Sequence, residues 1–140
     1  MSDSSNPKKI ALLQQLQKET FVMIRSSSIH GIGVFALVDI PKGQRNLFSN
    51  DASEWLAITK TEMEHLPAHS KELIENHCLY DNDVYYVPEY GFKLLDPVIF
   101  INHSDTPNIV SLNDGEDFEA ITSIKAGEEL FLDYGSIVAY

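Results

Sequence analysis

The segment FINHSDTPN, residues 100–108, places an amide and an imidazole next to each other directly after an apolar run. The apolar run, residues 98–101, is predicted to form a buried strand, so that Asn102 and His103 would lie at its inner end. Both are planar side chains that hydrogen-bond in fixed directions, which favours a ligand-binding or catalytic site. The alternative is an ordinary polar strand end, because residues 105–108 are common turn formers.

A second candidate is the glycine-containing stretch HGIGVFA, residues 30–36. Its letters match the dinucleotide-binding fingerprint, but that fingerprint must open a helix whose N-terminus holds the pyrophosphate. Here β-branched and apolar residues continue to a turn at Pro41-Lys-Gly43, so no helix can follow. The stretch is instead interpreted as a bend between two strands, where glycine backbone can approach a ligand closely. A plain hairpin bend is the alternative.

A third candidate is GEELFLDYG, residues 127–135, in which Tyr134 and then a glycine follow an apolar strand. An aromatic residue at a strand end is common, so this motif alone does not define a site.

The histidines of the sequence do not form a convincing metal site. His65 and His69 are four residues apart, but Pro67 breaks the helix that would align them, and no paired acid completes the set. We therefore predict no metal site.

Composition narrows the classes of function. With 140 residues, 44% of them apolar, the chain is expected to form one domain with a single core. One cysteine excludes an internal disulfide, no secretory signal is visible, and no apolar run approaches the ~18 residues of a membrane span. We expect an intracellular protein, cytoplasmic or nuclear, away from the membrane. A net charge of −11 argues against direct nucleic-acid binding and favours a basic partner.

Short apolar runs separated by turn residues predict a β-dominated α+β fold. The predicted strands are residues 20–25, 34–40, 84–87, 98–101, 109–112, 118–121 and 129–132. A short amphipathic helix is expected after Pro7. Residues 51–76 are predicted to be a helical insertion, opened by a capping box at Asp51 and Glu54 and split at Pro67.

The three motifs, in this order, resemble those of the SET-domain protein lysine methyltransferases. HGIGVFA, INHSDTPN and GEELFLDYG carry the resemblance, and the turns in DIPKGQ and ITSIKAGEEL are similar too. The resemblance spans residues 20–135. It implies a SET-type fold of several small sheets with a knot-like C-terminal crossing and the helical insertion at 51–76. Residues 1–19 would be a leader with a short helix, and residues 136–140 a tail.

The resemblance further implies transfer of a methyl group from S-adenosylmethionine to a lysine side chain of a basic protein, such as a histone tail. Tyr134 would be the catalytic residue. The residues that would bind the cofactor are His30, Gly31, Ile32, Gly33, Asn102, His103 and Tyr134. Those that would line the lysine channel are Tyr85, Tyr86, Tyr90, Leu132 and Tyr140. Leu132 stands where the family often has an aromatic residue, which leaves the number of methyl groups open. A homodimer is compatible with so short a form.

Two other functions remain open at the level of sequence. One is a non-catalytic SET-fold module that binds cofactor or peptide, although the presence of Tyr134 speaks against it. The other is a β-rich interaction protein with no cofactor.

Overall fold

The computed structural model describes residues 6–48, 55–113 and 115–136. The α-helices in these ranges are α1 (Pro7–Lys18), α2 (Lys60–Glu64) and α3 (Ala68–His77). The strands are β1 (Val22–Ser26), β2 (Ile32–Ala36), β3 (Trp55–Thr59), β4 (Leu79–Asp81), β5 (Val84–Pro88), β6 (Asn102–His103), β7 (Ile109–Leu112), β8 (Asp117–Ala120) and β9 (Glu129–Leu132). Short 3₁₀ helices cover Pro97–Phe100 and Tyr134–Ser136.

The strands form three small sheets. The largest has the order β1-β2-β9-β6, a second has the order β3-β5-β4, and β7 pairs with β8. The β6–β9 pair is parallel, whereas the other strand pairs are antiparallel. The prediction of a β-dominated α+β fold built from several small sheets is confirmed.

The core lies on one face of the large sheet. Val34 of β2 pairs with Leu130 of β9, and both side chains are fully buried together with Ile109 of β7. β9 alternates between half-buried and buried positions, so Leu130 and Leu132 face the core while Glu129 and the residue after Leu130 face away from it. This alternation decides which side chains of β9 are available to a site.

Two turns hold β9 against β2. The backbones of Ile40 and Ile124 exchange two hydrogen bonds, of 2.7 and 2.8 Å, so the turns at 41–43 and 125–127 lie side by side. Gly43 and Gly127 both have φ of +91°, a conformation that side chains with a Cβ rarely adopt. The turns predicted at these two positions are therefore present, and they bring the last strand back to the glycine-containing one.

The apolar run 98–101 does not form the strand that was predicted. Pro97–Phe100 forms a 3₁₀ helix, and the strand begins only at Asn102. The Asp96 carboxylate accepts a hydrogen bond of 3.1 Å from the backbone N–H of Val98, and proline occupies the first helical position. This local capping favours a helical turn, which an apolar run four residues long does not reveal.

The region predicted as a helical insertion is only partly helical. Its described part opens with strand β3, which pairs along its whole length with β5, so the prediction of helix there is wrong. The predicted capping box at Asp51 and Glu54 lies outside the described residues. A capping box does occur at Thr59 and Glu62, where it starts α2. Pro67 separates α2 from α3 as predicted.

Helix α1 forms where predicted, with the Asn6 side chain accepting from the N–H of Lys8 at its start. None of its residues is buried. None of the described helices is both long and apolar enough to cross a membrane.

Candidate active site

The large sheet brings all three sequence motifs together. β2 carries the end of the glycine motif, β6 consists of Asn102 and His103, and β9 carries the third motif. Asn102 lies beside Phe131 and His103 beside Leu132, while Val34 lies on the other side of β9. Residues far apart in sequence therefore meet around one central strand.

Asn102 is buried, with 7% of its surface exposed. Its Nδ2 donates to the backbone oxygen of His30 at 3.1 Å and to Oε2 of Glu129 at 2.7 Å. Both groups can only accept, so the amide nitrogen must face them and Oδ1 must point the other way. Oδ1 accepts no hydrogen bond within the described part of the chain. Since no buried side-chain polar atom there lacks a partner, Oδ1 reaches the surface.

The glycine motif forms a closed bend stabilised by Ser27. The Ser27 hydroxyl accepts from the N–H groups of Ile29 and His30 at 3.1 and 3.3 Å, and its N–H donates to the Gly31 oxygen at 2.8 Å. Gly31 has φ of +46°, which explains the need for glycine at this position. Gly31 and Ile32 are exposed, so the Gly31 backbone and the Ile32 side chain can contact a ligand.

Gly33 is needed for a different reason. It does not have a positive φ, and it is buried. A Cβ at this position would lie 2.2 Å from Oε2 of Glu129 and 3.1 Å from Nδ2 of Asn102. The space beside Gly33 is therefore filled by the protein's own carboxylate and amide.

Tyr134 lies against His103. The Tyr134 N–H donates to Nδ1 of His103 at 3.0 Å, and the two ring centroids are 5.2 Å apart. Because Nδ1 accepts, Nε2 carries the proton and donates to Oδ1 of Asp105 at 3.1 Å. The Tyr134 hydroxyl donates to the backbone oxygen of Ile101. Partial burial raises the pKa of the Tyr134 phenol above its ordinary value, so the hydroxyl stays protonated at neutral pH.

Sequence reasoning missed two residues of the site. Glu129 was not singled out, although it ties Asn102 to the glycine bend and also accepts from the Ser27 hydroxyl at 2.7 Å. The position of Glu129 in the strand could have indicated its role. Glu129 is the first residue of β9 and lies on the face opposite Leu130, whereas Glu128 lies outside the strand.

Asn108 was interpreted as a turn former, but its side chain bonds to β9. Nδ2 donates to the Glu129 backbone oxygen at 2.8 Å, and Oδ1 accepts from the Phe131 N–H at 2.7 Å. The Asn108 N–H also donates to the Phe131 oxygen at 3.2 Å, and the Ser104 N–H donates to the Leu132 oxygen at 3.1 Å. The segment 102–108 thus lies along β9 and is fixed to it at both ends.

The residues that were predicted to line the lysine channel lie on different elements of the fold. Leu132 is 3% exposed and belongs to the core. Tyr85 and Tyr86 are half-buried on β5, in the second sheet, and Tyr90 follows that strand and is exposed. Across the described ranges, no hydrogen bond or ring contact joins these three tyrosines to Tyr134. Tyr140 lies outside the described residues.

Among the described residues, no group of three or more His, Cys, Asp or Glu side chains could hold a metal ion. Cys78 is a free, partly buried thiol, and burial raises its pKa to about 11.

A family model for the SET domain matches residues 31–135, well over half of the chain. The chain belongs to the SET-domain family. No curated protein matches the sequence.

Solved structures share this fold. A protein from Plasmodium falciparum that is proposed to be a histone methyltransferase is 24% identical with a TM-score of 0.50, over 84% of this chain and 95% of the other. A chain of the Chaetomium thermophilum Polycomb Repressive Complex 2 bound to GSK126 is 26% identical with a TM-score of 0.57, over 89% of this chain and 17% of the other. A chain of the same complex in an autoinhibited conformation bound to S-adenosylmethionine is 25% identical with a TM-score of 0.55, over 86% of this chain and 16% of the other.

Proposed function

We propose that this protein is an S-adenosylmethionine-dependent lysine methyltransferase that acts on a basic protein, such as a histone tail. The observation that carries the proposal is the meeting of all three SET motifs around β9, with Tyr134 in contact with His103, next to Asn102. Membership of the SET family and the fold shared with a complex that binds S-adenosylmethionine support the same reaction.

The residues present fit a cationic cofactor. Asn102 offers an unpaired acceptor atom, and the exposed backbone of the Gly31 bend lies beside it, joined to it through His30. We assign cofactor binding to residues 30–33, Asn102 and His103. When bound, S-adenosylmethionine supplies an electrophilic methyl group, so the protein's task is alignment and the exclusion of water.

Tyr134 is assigned to orient the substrate amine. Its hydroxyl proton is committed to the Ile101 oxygen, which leaves the lone pairs of the phenol oxygen to accept from an amine N–H. A protonated phenol cannot take the amine's proton. The lysine, with an ordinary pKa of ~10.4, would instead lose its proton as a narrow channel removes it from water, since desolvation disfavours the charged form. The pH dependence would then follow the lysine.

The proposed domain begins before the family match does. β1 pairs with every residue of β2, from Val22 beside Ala36 to Ser26 beside Ile32, so the domain requires residues from about 20 onward. We propose residues 20–135 as the SET domain and an intracellular location, where histones and similar basic proteins are found.

The function is tested by incubating the protein with S-adenosylmethionine and a mixture of basic proteins, followed by mass spectrometry. A gain of 14 Da or its multiples on lysine, about the mass of CH₂, is expected. Cofactor binding measured by calorimetry without any transfer to a range of basic proteins would favour the non-catalytic module.

Asn102→Ala is expected to weaken cofactor binding while leaving the fold intact. Removing an amide that bonds a ligand costs about 1–3 kcal/mol, which corresponds to roughly a 5- to 150-fold loss of affinity. Calorimetric titration with S-adenosylmethionine measures this loss. Asn76→Ala is the control, because Asn76 is exposed on α3. Equal affinity in a folded Asn102 variant would remove Asn102 from the cofactor site.

Substrate capture is expected to depend on salt. The net charge of −11 attracts a basic chain. Dissolved ions screen this attraction beyond ~8 Å at physiological ionic strength, and over a shorter distance as salt is added. The apparent KM for a lysine-rich peptide should therefore rise as salt is added. Initial rates at increasing salt concentration measure the effect. Equal turnover of an acidic lysine peptide, or a KM independent of salt, would contradict a role for the acidic surface.

A further inference from the structure

One carboxylate joins all three motifs. Oε1 of Glu129 accepts from the Ser27 hydroxyl at 2.7 Å, and Oε2 accepts from Nδ2 of Asn102 at the same distance. Ser27 in turn accepts from the two N–H groups that shape the bend before Gly31. Glu129 thus acts on the bend with one oxygen and on Asn102 with the other.

The carboxylate determines which way the Asn102 amide points. The two ends of an amide have nearly the same shape, so only the hydrogen bonds distinguish them. The His30 carbonyl alone provides one acceptor at 3.1 Å, whereas the bond to Glu129 is shorter and charge-assisted, and such bonds are roughly twice as strong as neutral ones. With Glu129 ionised, a flipped amide would direct Oδ1 at two acceptors and be repelled by both.

Gly33 fits the same arrangement. Any larger residue at this position would collide with Oε2 of Glu129 at 2.2 Å and crowd the Asn102 amide at 3.1 Å. The glycine therefore makes room for the carboxylate to reach Asn102.

Resting on the proposed function, we infer that Glu129 is a positioning residue for the cofactor site. It fixes the Asn102 amide so that Oδ1, which accepts no hydrogen bond within the described ranges, faces outward to accept from a donor group of the cofactor. Glu129 itself does not contact the cofactor. Its effect on cofactor binding passes through Asn102.

A double-mutant cycle between Glu129→Gln and Asn102→Ala tests this coupling. Glutamine keeps the shape of glutamate, but it loses the charge and one of the two acceptor atoms. We expect Glu129→Gln to lower the affinity for S-adenosylmethionine on the order of 10-fold, the range for a hydrogen bond to a charged group. In the Asn102→Ala background, the same change should cost less than about 2-fold, because no amide remains to be oriented. Isothermal titration calorimetry measures all four proteins without requiring turnover.

Glu128→Gln is the matched control, since Glu128 is exposed and its Oε1 accepts from the Lys125 N–H in the neighbouring turn. Its affinity for the cofactor should equal that of the wild type. If Glu129→Gln does not fold, Glu129→Asp replaces it, because aspartate keeps the charge but its shorter side chain withdraws the carboxylate from the Asn102 amide.

Two results overturn the inference alone. One is a wild-type affinity in Glu129→Gln, and the other is an equal loss in both backgrounds, which would make Glu129 a structural residue of β9. A wild-type protein that does not bind S-adenosylmethionine overturns the proposed function and this inference together. The two failures are therefore distinguishable.

Discussion

Replacing Tyr134 by phenylalanine is expected to lower the rate of methyl transfer by a factor on the order of 10² or more. The hydroxyl is assigned to orient the amine as attack begins, so its contribution is made in the transition state rather than in cofactor binding. The phenylalanine ring can keep its contact with His103, whose centroid lies 5.2 Å away, but the hydrogen bond to the Ile101 oxygen is lost. The variant should therefore remain folded, with a loss of stability of about 1 kcal/mol. Single-turnover rates and calorimetric affinities, measured on the same protein, separate the two effects.

The control is Tyr80→Phe, because Tyr80 is 40% exposed on β4 in the second sheet and has a hydroxyl of the same chemistry. Near-full transfer by the Tyr134 variant would make Tyr134 a packing residue and would contradict the proposed mechanism. A loss of cofactor affinity as large as the loss of rate would assign the hydroxyl to binding instead.

Asn108→Ala is expected to destabilise the fold by about 2–4 kcal/mol, since it removes two hydrogen bonds to backbone groups of β9 and each partly buried group left unpaired costs about 1–3 kcal/mol. These bonds, of 2.8 and 2.7 Å, fix segment 102–108 to Glu129 and Phe131. The free energy of unfolding, measured by urea denaturation, reports the loss.

Asn76→Ala again provides the control, with no expected change in stability beyond a few tenths of a kcal/mol. Asn108→Asp is informative too. Aspartate keeps an acceptor for the Phe131 N–H but has no donor for the Glu129 oxygen, so it should be destabilised as well. An Asn108→Ala protein as stable as the wild type would show that the parallel β6–β9 pairing holds this segment without the side chain.

The fold class could be predicted from sequence because short apolar runs alternate with turn residues. The meeting of the three motifs could be predicted because they occur in the order that the SET family has. The turns at 41–43 and 125–127 were predicted for a local reason, since glycine there takes a φ of +91° that other residues avoid. Pro67 was predicted to separate two helices for an equally local reason, since proline interrupts a helix.

What sequence could not supply depends on contacts between distant residues. The predicted strand 129–132 includes Glu129 and leaves out Glu128, but only the register of β9 against β2 brings the Glu129 carboxylate to Ser27 and Asn102. Asn108 has the composition of a turn, and its bonds to β9 exist only once that strand is in place.

Misassigned elements have related causes. β3 was predicted as helix because its partner β5 lies far along the chain, and pairing with that strand overrides the local preference. The 3₁₀ helix at Pro97–Phe100 was predicted as strand because a run of four apolar residues fits either structure.

The central position of β9 has a consequence for the order in which the molecule folds. β9 pairs with β2, near the start of the domain, and with β6, which precedes it by a much shorter loop. Closing the longer loop costs more chain entropy and slows folding. During synthesis, β1 and β2 can pair early, but the candidate site is incomplete until residues 129–132 leave the ribosome. Until then the inner edge of β2 is an open strand edge, the kind of surface that chaperones protect from aggregation.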